Sequence, residues 1–190
     1  TVRPLSGLPS KCLLMIPERV AFALIERGWI LRNRVVWAKP NGMPSSVKDR
    51  LATKHEALFH LVRQPRYFYD LDAIREPAKS NADEYLRAGA SVRDNHRYGE
   101  VNGARLGDKS FRNFDGKVNP GDVWTIPTQP YPDAHFAVFP PELVRRPILA
   151  TVPEGGTVLD PFFGAGTTGV MARRLGRKTV GVELNPDYCA

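Results

Sequence analysis

The chain has 190 residues, 42% of them hydrophobic and 25% charged, with a formal net charge of +7. That is room for one domain with a true core and a smaller lobe, but not for two full domains. No apolar run approaches the ~18 residues of a membrane span, and the first residues lack the charged-then-apolar pattern of a leader. Cys12 and Cys189 are the only cysteines and form no C-x-x-C. This argues against a disulfide framework or a cysteine zinc site and for a reducing compartment, with the cytoplasm expected.

The positive charge is unevenly spread. Residues 1–77 carry 13 Lys/Arg against 7 Asp/Glu, residues 78–134 carry 8 against 8, and residues 135–190 carry 6 against 5. A basic first third suits a polyanionic partner such as nucleic acid, though a solvated basic face has the same composition.

Residues 1–10, with Pro4, Gly7 and Pro9, read as loop. Pro17 to Gly28 predicts a helix: Ile16, Val20, Leu24 and Ile25 share one face, Pro17 suits the first turn, and Gly28 suits a left-handed stop. Ile30 to Ala38 predicts a strand from its β-branched and aromatic residues. Residues 39–54, KPNGMPSSVKDRLATK, hold two prolines, a glycine and two serines, and Lys39, Lys48, Arg50 and Lys54 outnumber Asp49. They predict an irregular basic loop, either merely solvated or able to contact phosphates through Lys39, Ser45, Ser46, Lys48 and Arg50.

Ala57 to Arg63 and Arg66 to Leu71 predict two short strands in a hairpin about Gln64-Pro65. His55 and His60 within this region are five apart, not the four that places two zinc ligands on one helical face. No metal site is expected, and His60 reads as an ordinary sheet residue. Residues 78–134 are polar and weakly periodic, with Tyr85-Leu86 and Val123 to Ile126 as their candidate core anchors, and they read as an insertion. A helix is expected from about Pro141 to Ala150, with Leu143, Val144, Ile148 and Leu149 as its buried stripe.

The segment from Thr157 to Gly169 then reads as strand, glycine turn and helix, and Lys178 to Glu183 as the next strand. Gly164, Gly166 and Gly169 satisfy G-x-G-x-x-G, and Glu183 follows Gly164 by 19 positions, which alone would suit a dinucleotide fold. A pyrophosphate turn follows its strand directly, however, so that backbone N–H groups meet the anion. Here Asp160 stands at the strand end, with Pro161, Phe162 and Phe163 before the first glycine. A carboxylate there repels pyrophosphate and favours a cation. S-adenosylmethionine fits: it is a nucleoside with a sulfonium and an ammonium and no phosphate. Gly164 and Gly166 allow close backbone approach, and Glu183 would accept hydrogen bonds from ribose hydroxyls, a role it would also have toward NAD. The absence of G-K-[ST] excludes a P-loop.

DPFFGAGTTG at 160–169 and VGVELNPDY at 180–188 closely resemble the S-adenosylmethionine motifs of the amino-group DNA methyltransferases, which modify adenine N6 or cytosine N4. HFAVFPPELV at 135–144 resembles the segment that completes the methionine pocket in that family, and residues 27–50, 54–77 and 123–140 are similar to its middle region. Residues 80 to 120 match least. The motif order resembles the permuted beta class. The resemblance implies an α/β fold, a Rossmann-like methyltransferase sheet in circularly permuted motif order, with a target-recognition region inserted. Residues 1–77 would be the central part of the methyltransferase domain, 78–134 the target-recognition insertion and 135–190 the cofactor-binding part. Asp160, Phe162, Gly164, Gly166, Thr167, Thr168, Glu183, Asn185 and Phe139 would hold the cofactor, and double-stranded DNA would be the partner.

The sequence departs from the family in one respect. The catalytic tetrapeptide, Asp, Asn or Ser followed by Pro-Pro and an aromatic, does not occur. Asp160-Pro161-Phe162-Phe163 lacks the second proline, and Phe139-Pro140-Pro141-Glu142 lacks both the polar first residue and the aromatic. The chain therefore resembles the C-terminal two thirds of such an enzyme, with the catalytic segment upstream or on another chain. No catalytic residue is expected within it. A NAD-dependent oxidoreductase and a non-catalytic DNA-binding fragment of a split methyltransferase are the competing classes.

Overall fold

A computed structural model describes residues 7–77, 116–129 and 138–186. These fall into two compact units. The first runs to Phe68 and takes in Asp122–Pro140, and the second comprises Tyr69–Gly121 and the chain from Pro141 onward. Most of the expected insertion at 78–134, including Tyr85-Leu86, lies outside the described residues.

In the first unit, helix α1 (Ile16–Glu26) leads into strand β1 (Ile30–Ala38). Pro17 occupies the helix's first turn, where its missing N–H costs nothing, and Gly28 closes it at φ +82°. Strand β1 is the centre of a three-stranded sheet. Strand β2 (His55–Val62) pairs with it antiparallel from Ile30↔Val62 to Ala38↔His55, and β5 (Val123–Thr125) pairs parallel, with Trp37 opposite Trp124. Val35, Trp37, Val62, Trp124 and Ile126 are buried, so the Val123–Ile126 anchor read from the sequence is part of this core. The Trp37 indole N–H donates to the Ile126 carbonyl at 2.8 Å.

One expectation is corrected here. Arg66 to Leu71 forms no strand, and the antiparallel partner of β2 is β1 across the basic loop. After Pro65 the chain is held by side chains: the Arg32 Nε donates to the Tyr67 hydroxyl at 2.9 Å, and the Tyr67 ring meets His60 edge-on at 5.6 Å. In α1 the apolar residues stay largely outside the core. Ala21 alone is buried in that helix, while Ile16, Val20, Phe22 and Ile25 are exposed, because no described element covers them.

In the second unit, a 3₁₀ turn (Asp72–Ile74) leads into β3 (Glu76–Pro77), which pairs antiparallel with β4 (Lys117–Val118). Helix α2 (Pro141–Thr151) precedes a βαβ unit made of β6 (Thr157–Asp160), α3 (Thr167–Arg174) and β7 (Lys178–Gly181). The two strands are parallel, with Thr157 opposite Lys178 and Asp160 opposite Gly181. Ile148 of α2 and Met171 and Ala172 of α3 are buried together, with Val144, Val152, Val158 and Leu175 against them. Ala at 172 lets helix and strand approach closely, and it retains no exposed surface. The stripe expected on α2 is present, with Leu143 and Ile148 buried and Val144 and Leu149 half-buried. On β6 and β7, Leu159 and Val180 are exposed.

Arg146 ties α2 to β3. Its guanidinium, 16% exposed, meets Glu76 at 2.5 Å and Glu142 at 3.2 Å. Glu142 also accepts from Arg145, and that hydrogen bond holds its carboxyl below the usual range, with the two arginine charges adding to the effect.

Candidate functional site

The two ladder strands of the βαβ unit end side by side, one closing on Asp160 and the other leading to Glu183. Asp160 closes β6, half-buried, and its Oδ1 accepts from the Phe162 N–H at 2.9 Å. The ladder continues past the strands, because the Val182 N–H donates to the Asp160 carbonyl and the Phe163 N–H to the Val182 carbonyl, both at 2.9 Å. This brings Glu183 back to the glycine turn. Its Oε2 accepts from the Gly164 N–H at 2.6 Å and its Oε1 from the Asn185 N–H at 2.8 Å. The sequence spacing of 19 residues is thus a direct contact in three dimensions.

That contact bears on which ligand fits. In a pyrophosphate site the amide of the first glycine faces the anion. Here a carboxylate already holds it, and a second carboxylate stands at the neighbouring strand tip. Two negative groups around a partly buried turn disfavour a phosphate and favour a cationic ligand. The residues fit a nucleoside bearing a sulfonium and an ammonium better than a dinucleotide.

Gly164 (φ +50°) and Gly166 (φ +77°) both adopt left-handed backbone, which explains glycine at these positions without reference to any ligand. Gly166 caps α3, and Thr167 and Thr168 form its first turn, Thr167 half-buried and Thr168 buried. Phe162 is 89% exposed, whereas Phe163 is half-buried. A Cβ built on Gly169 would lie 2.5 Å from the Phe163 ring, one on Gly181 would also lie at 2.5 Å, and one on Gly166 at 3.2 Å. Sequence reading passed over Phe163. The available signal was a bulky ring next to more glycines than a ligand turn requires. Phe139, half-buried, belongs to the first unit.

The basic loop of the first unit is irregular, as its composition predicts. The Lys39 N–H donates to the Lys54 carbonyl at 2.8 Å and closes the loop's base. Asn41 fastens it to Thr128, donating from Nδ2 to the Thr128 carbonyl and accepting the Thr128 N–H at Oδ1, each at 2.8 Å. Ser45, Ser46, Lys48 and Arg50 are exposed on this loop. Lys39 differs: its ammonium pairs with Glu56 and lies 4.3 Å from the centre of the Trp37 ring. His55 and His60 point to opposite faces of β2, being an odd number of residues apart. Burial, with the charge of Arg32, lowers the pKa of His60, consistent with a neutral sheet residue.

The parallel βαβ unit, with its glycine turn framed by two carboxylates, defines an α/β protein of the Rossmann-like methyltransferase class. Residues 12–190 match the model of the N6/N4 methyltransferase family, described as DNA methylase, and the chain belongs to that family. The family is one of S-adenosylmethionine-dependent amino-methyltransferases. Among its relatives, the type II methyltransferase M.Cfr9I of Citrobacter freundii is 43% identical over 182 residues, covering 96% of this chain and 49% of that protein. M.SmaI of Serratia marcescens is 40% identical over 184 residues, covering 97% and 52%. The chain spans about half the length of the curated relatives it matches. The fold is shared with the solved PvuII DNA methyltransferase (cytosine-N4-specific) at a TM-score of 0.65 and 18% identity, covering 97% of this chain and 57% of that one. It is also shared with M1.HpyAVI in complex with SAM at a TM-score of 0.53 and 19% identity, covering 93% and 68%.

Proposed function

We propose that the chain is the cofactor-binding and DNA-facing part of a site-specific, type II DNA methyltransferase. In this reading a methyl group passes from S-adenosylmethionine to the exocyclic amine of a flipped base, cytosine N4 being favoured over adenine N6. The observation that carries the reading is the Glu183 carboxylate seated on the Gly164 N–H beside Asp160. It supports a nucleoside site selective against phosphate.

Bound S-adenosylmethionine supplies an electrophilic methyl group on its sulfonium. Asp160 attracts the cationic part, Glu183 and Asn185 orient the ribose side, and Gly164, Gly166, Thr167 and Thr168 form the wall over which the ligand lies. Phe162 supplies apolar surface. Lys39, Ser45, Ser46, Lys48 and Arg50 hold DNA phosphates, and residues 78–134 read the bases. The loop being anchored at Asn41 supports this role, since a fixed base lets its exposed cations keep register on a duplex. A stacked base cannot present its amine to a buried donor, so it has to leave the duplex. The amine lone pair is delocalised into the ring, and acceptors for its hydrogens are needed before it can attack.

Those acceptors are assigned to a polypeptide carrying the missing tetrapeptide, upstream or on a second subunit. The uncovered apolar face of α1 and the uncovered face of the parallel β6–β7 pair support such a segment, because parallel sheets are normally covered on both sides. The KPNGMPSSVKDR segment resembles family members whose tetrapeptide begins with serine, and that resemblance leans toward cytosine N4. The motif order supports a permuted sheet, its first part at 1–77 and its cofactor part at 135–190.

Two experiments test this reading. Titration with S-adenosylhomocysteine and with NAD is expected to give binding by the first alone; stabilisation by NAD only would end it. Methyl transfer to duplex DNA is expected when an upstream polypeptide is supplied, with nucleoside mass spectrometry identifying the methylated base. Activity of this chain alone would remove the need for a second segment, and DNA binding without methyl transfer in either setting would favour a non-catalytic fragment.

A further inference from the structure

The Phe163 ring occupies a space left by three glycines on three different elements. Gly166 is in the turn, Gly169 in α3 and Gly181 at the end of β7, and a Cβ on any of them would press against the ring at 3.2, 2.5 and 2.5 Å. Contacts under 3 Å force a shift, and a phenyl ring wedged between a helix and a strand has little freedom to give way. Gly169 takes an ordinary backbone conformation, with no positive φ, and is the third residue of α3, so its own backbone does not require glycine. Its presence there is explained by the ring.

The backbone of Phe163 is held on both sides as well. Its N–H donates to the Val182 carbonyl and its carbonyl accepts the Gly166 N–H, both at 2.9 Å. Val182 precedes Glu183, and Gly164 follows Phe163. The ring and its two backbone bonds therefore fix the register between the residue that offers the Gly164 N–H and the residue that brings the carboxylate to it at 2.6 Å.

We propose that Phe163 is a positioning residue for the methyl donor: seated in the Gly166–Gly169–Gly181 hollow, it sets the alignment of Gly164 and Glu183 on which donor binding depends. This rests on the reading of the turn as an S-adenosylmethionine site. It assigns Gly169 and Gly181 to accommodation of the ring. A ring that merely filled the core would affect stability and leave the ligand constant of the folded protein unchanged.

The test is a double-mutant cycle in the full chain, using Gly181→Ala, Phe163→Ala and the pair. The melting temperature and the Kd for S-adenosylhomocysteine are both measured, the latter well below each variant's melting point. Gly181→Ala alone is expected to lower the melting temperature and weaken binding by about tenfold. In the Phe163→Ala background the same substitution is expected to have almost no further effect, a coupling of about tenfold. Phe163→Leu, which keeps the site apolar, covers the case in which Gly181→Ala does not fold, and is expected to weaken binding severalfold in a soluble protein. Coupled melting temperatures with uncoupled Kd values, or an unchanged Kd in Phe163→Leu, would overturn the positioning role. Additive melting temperatures would overturn the wedge itself. A wild-type chain that binds no S-adenosylhomocysteine while its melting temperatures still couple would sink the donor reading but leave the packing intact.

Discussion

Replacing Glu183 by glutamine separates its two tasks. In the free protein both carboxylate oxygens accept backbone N–H groups, from Gly164 at 2.6 Å and Asn185 at 2.8 Å. Glutamine keeps one acceptor and turns an NH₂ toward the other amide, so one charge-assisted hydrogen bond becomes a donor–donor clash. Bonds to charged groups contribute about 1.5–3 kcal/mol, and the half-buried position places the loss near 2 kcal/mol. For a chain of this size that corresponds to a fall of roughly 4–8 °C in melting temperature. If the remaining acceptor also serves ribose, S-adenosylhomocysteine binding weakens by about 30-fold, from a similar energy. Glu183→Asp, which keeps the charge but shortens the reach, is expected to recover part of the stability and little of the binding. Calorimetric titration and thermal melts of the three proteins check this. An unchanged Kd in Glu183→Gln would refute the assignment of Glu183 to the ligand, and an unchanged melting temperature would refute the turn contact.

Three further outcomes are expected. Lys48→Gln combined with Arg50→Gln should weaken DNA binding across all sequences and reduce the salt slope of log K by about 2, and an unchanged slope would remove this loop from the interface. Trp37→Phe leaves the Ile126 carbonyl without its indole donor inside the core and should cost about 1–2 kcal/mol in urea unfolding. The Glu142 carboxyl is held low, first by the Arg145 hydrogen bond, so its folded pKa lies below the unfolded one. The stability it contributes is full at neutral pH and is lost as pH falls from the usual carboxylate range through that lowered value. The gap in melting temperature between the wild type and Glu142→Gln should therefore narrow on acidification below the usual carboxylate range, and by a modest amount, because the pair is partly exposed.

Local pattern sufficed where local physics decides. The proline in the first turn of α1, the glycine that ends it, the β-branched run of β1 and the strand, glycine turn and helix start at 157–169 all rest on backbone preferences of a few residues, and each lies where the sequence places it. The recognition of Asp160 and Glu183 as a pair also came from sequence, because a parallel βαβ unit sets both at neighbouring strand tips. Pairing was not legible: the region after Pro65 has strand-like composition, yet β2 pairs with β1 across a 16-residue loop segment, because register is decided by the faces that meet and not by proximity along the chain. Nor did helical spacing reveal which apolar face finds a partner, as α1 shows.

The sequence by itself determined the class of ligand and the family, since charge sign, glycine freedom and motif order are properties of the residues themselves. Tertiary structure alone decided why the glycines stand where they do. Gly164 and Gly166 are required by backbone conformation, whereas Gly169 and Gly181 stand where a Cβ would meet the Phe163 ring, packed between a helix and the strand that follows it, a demand that exists only once those elements are folded together.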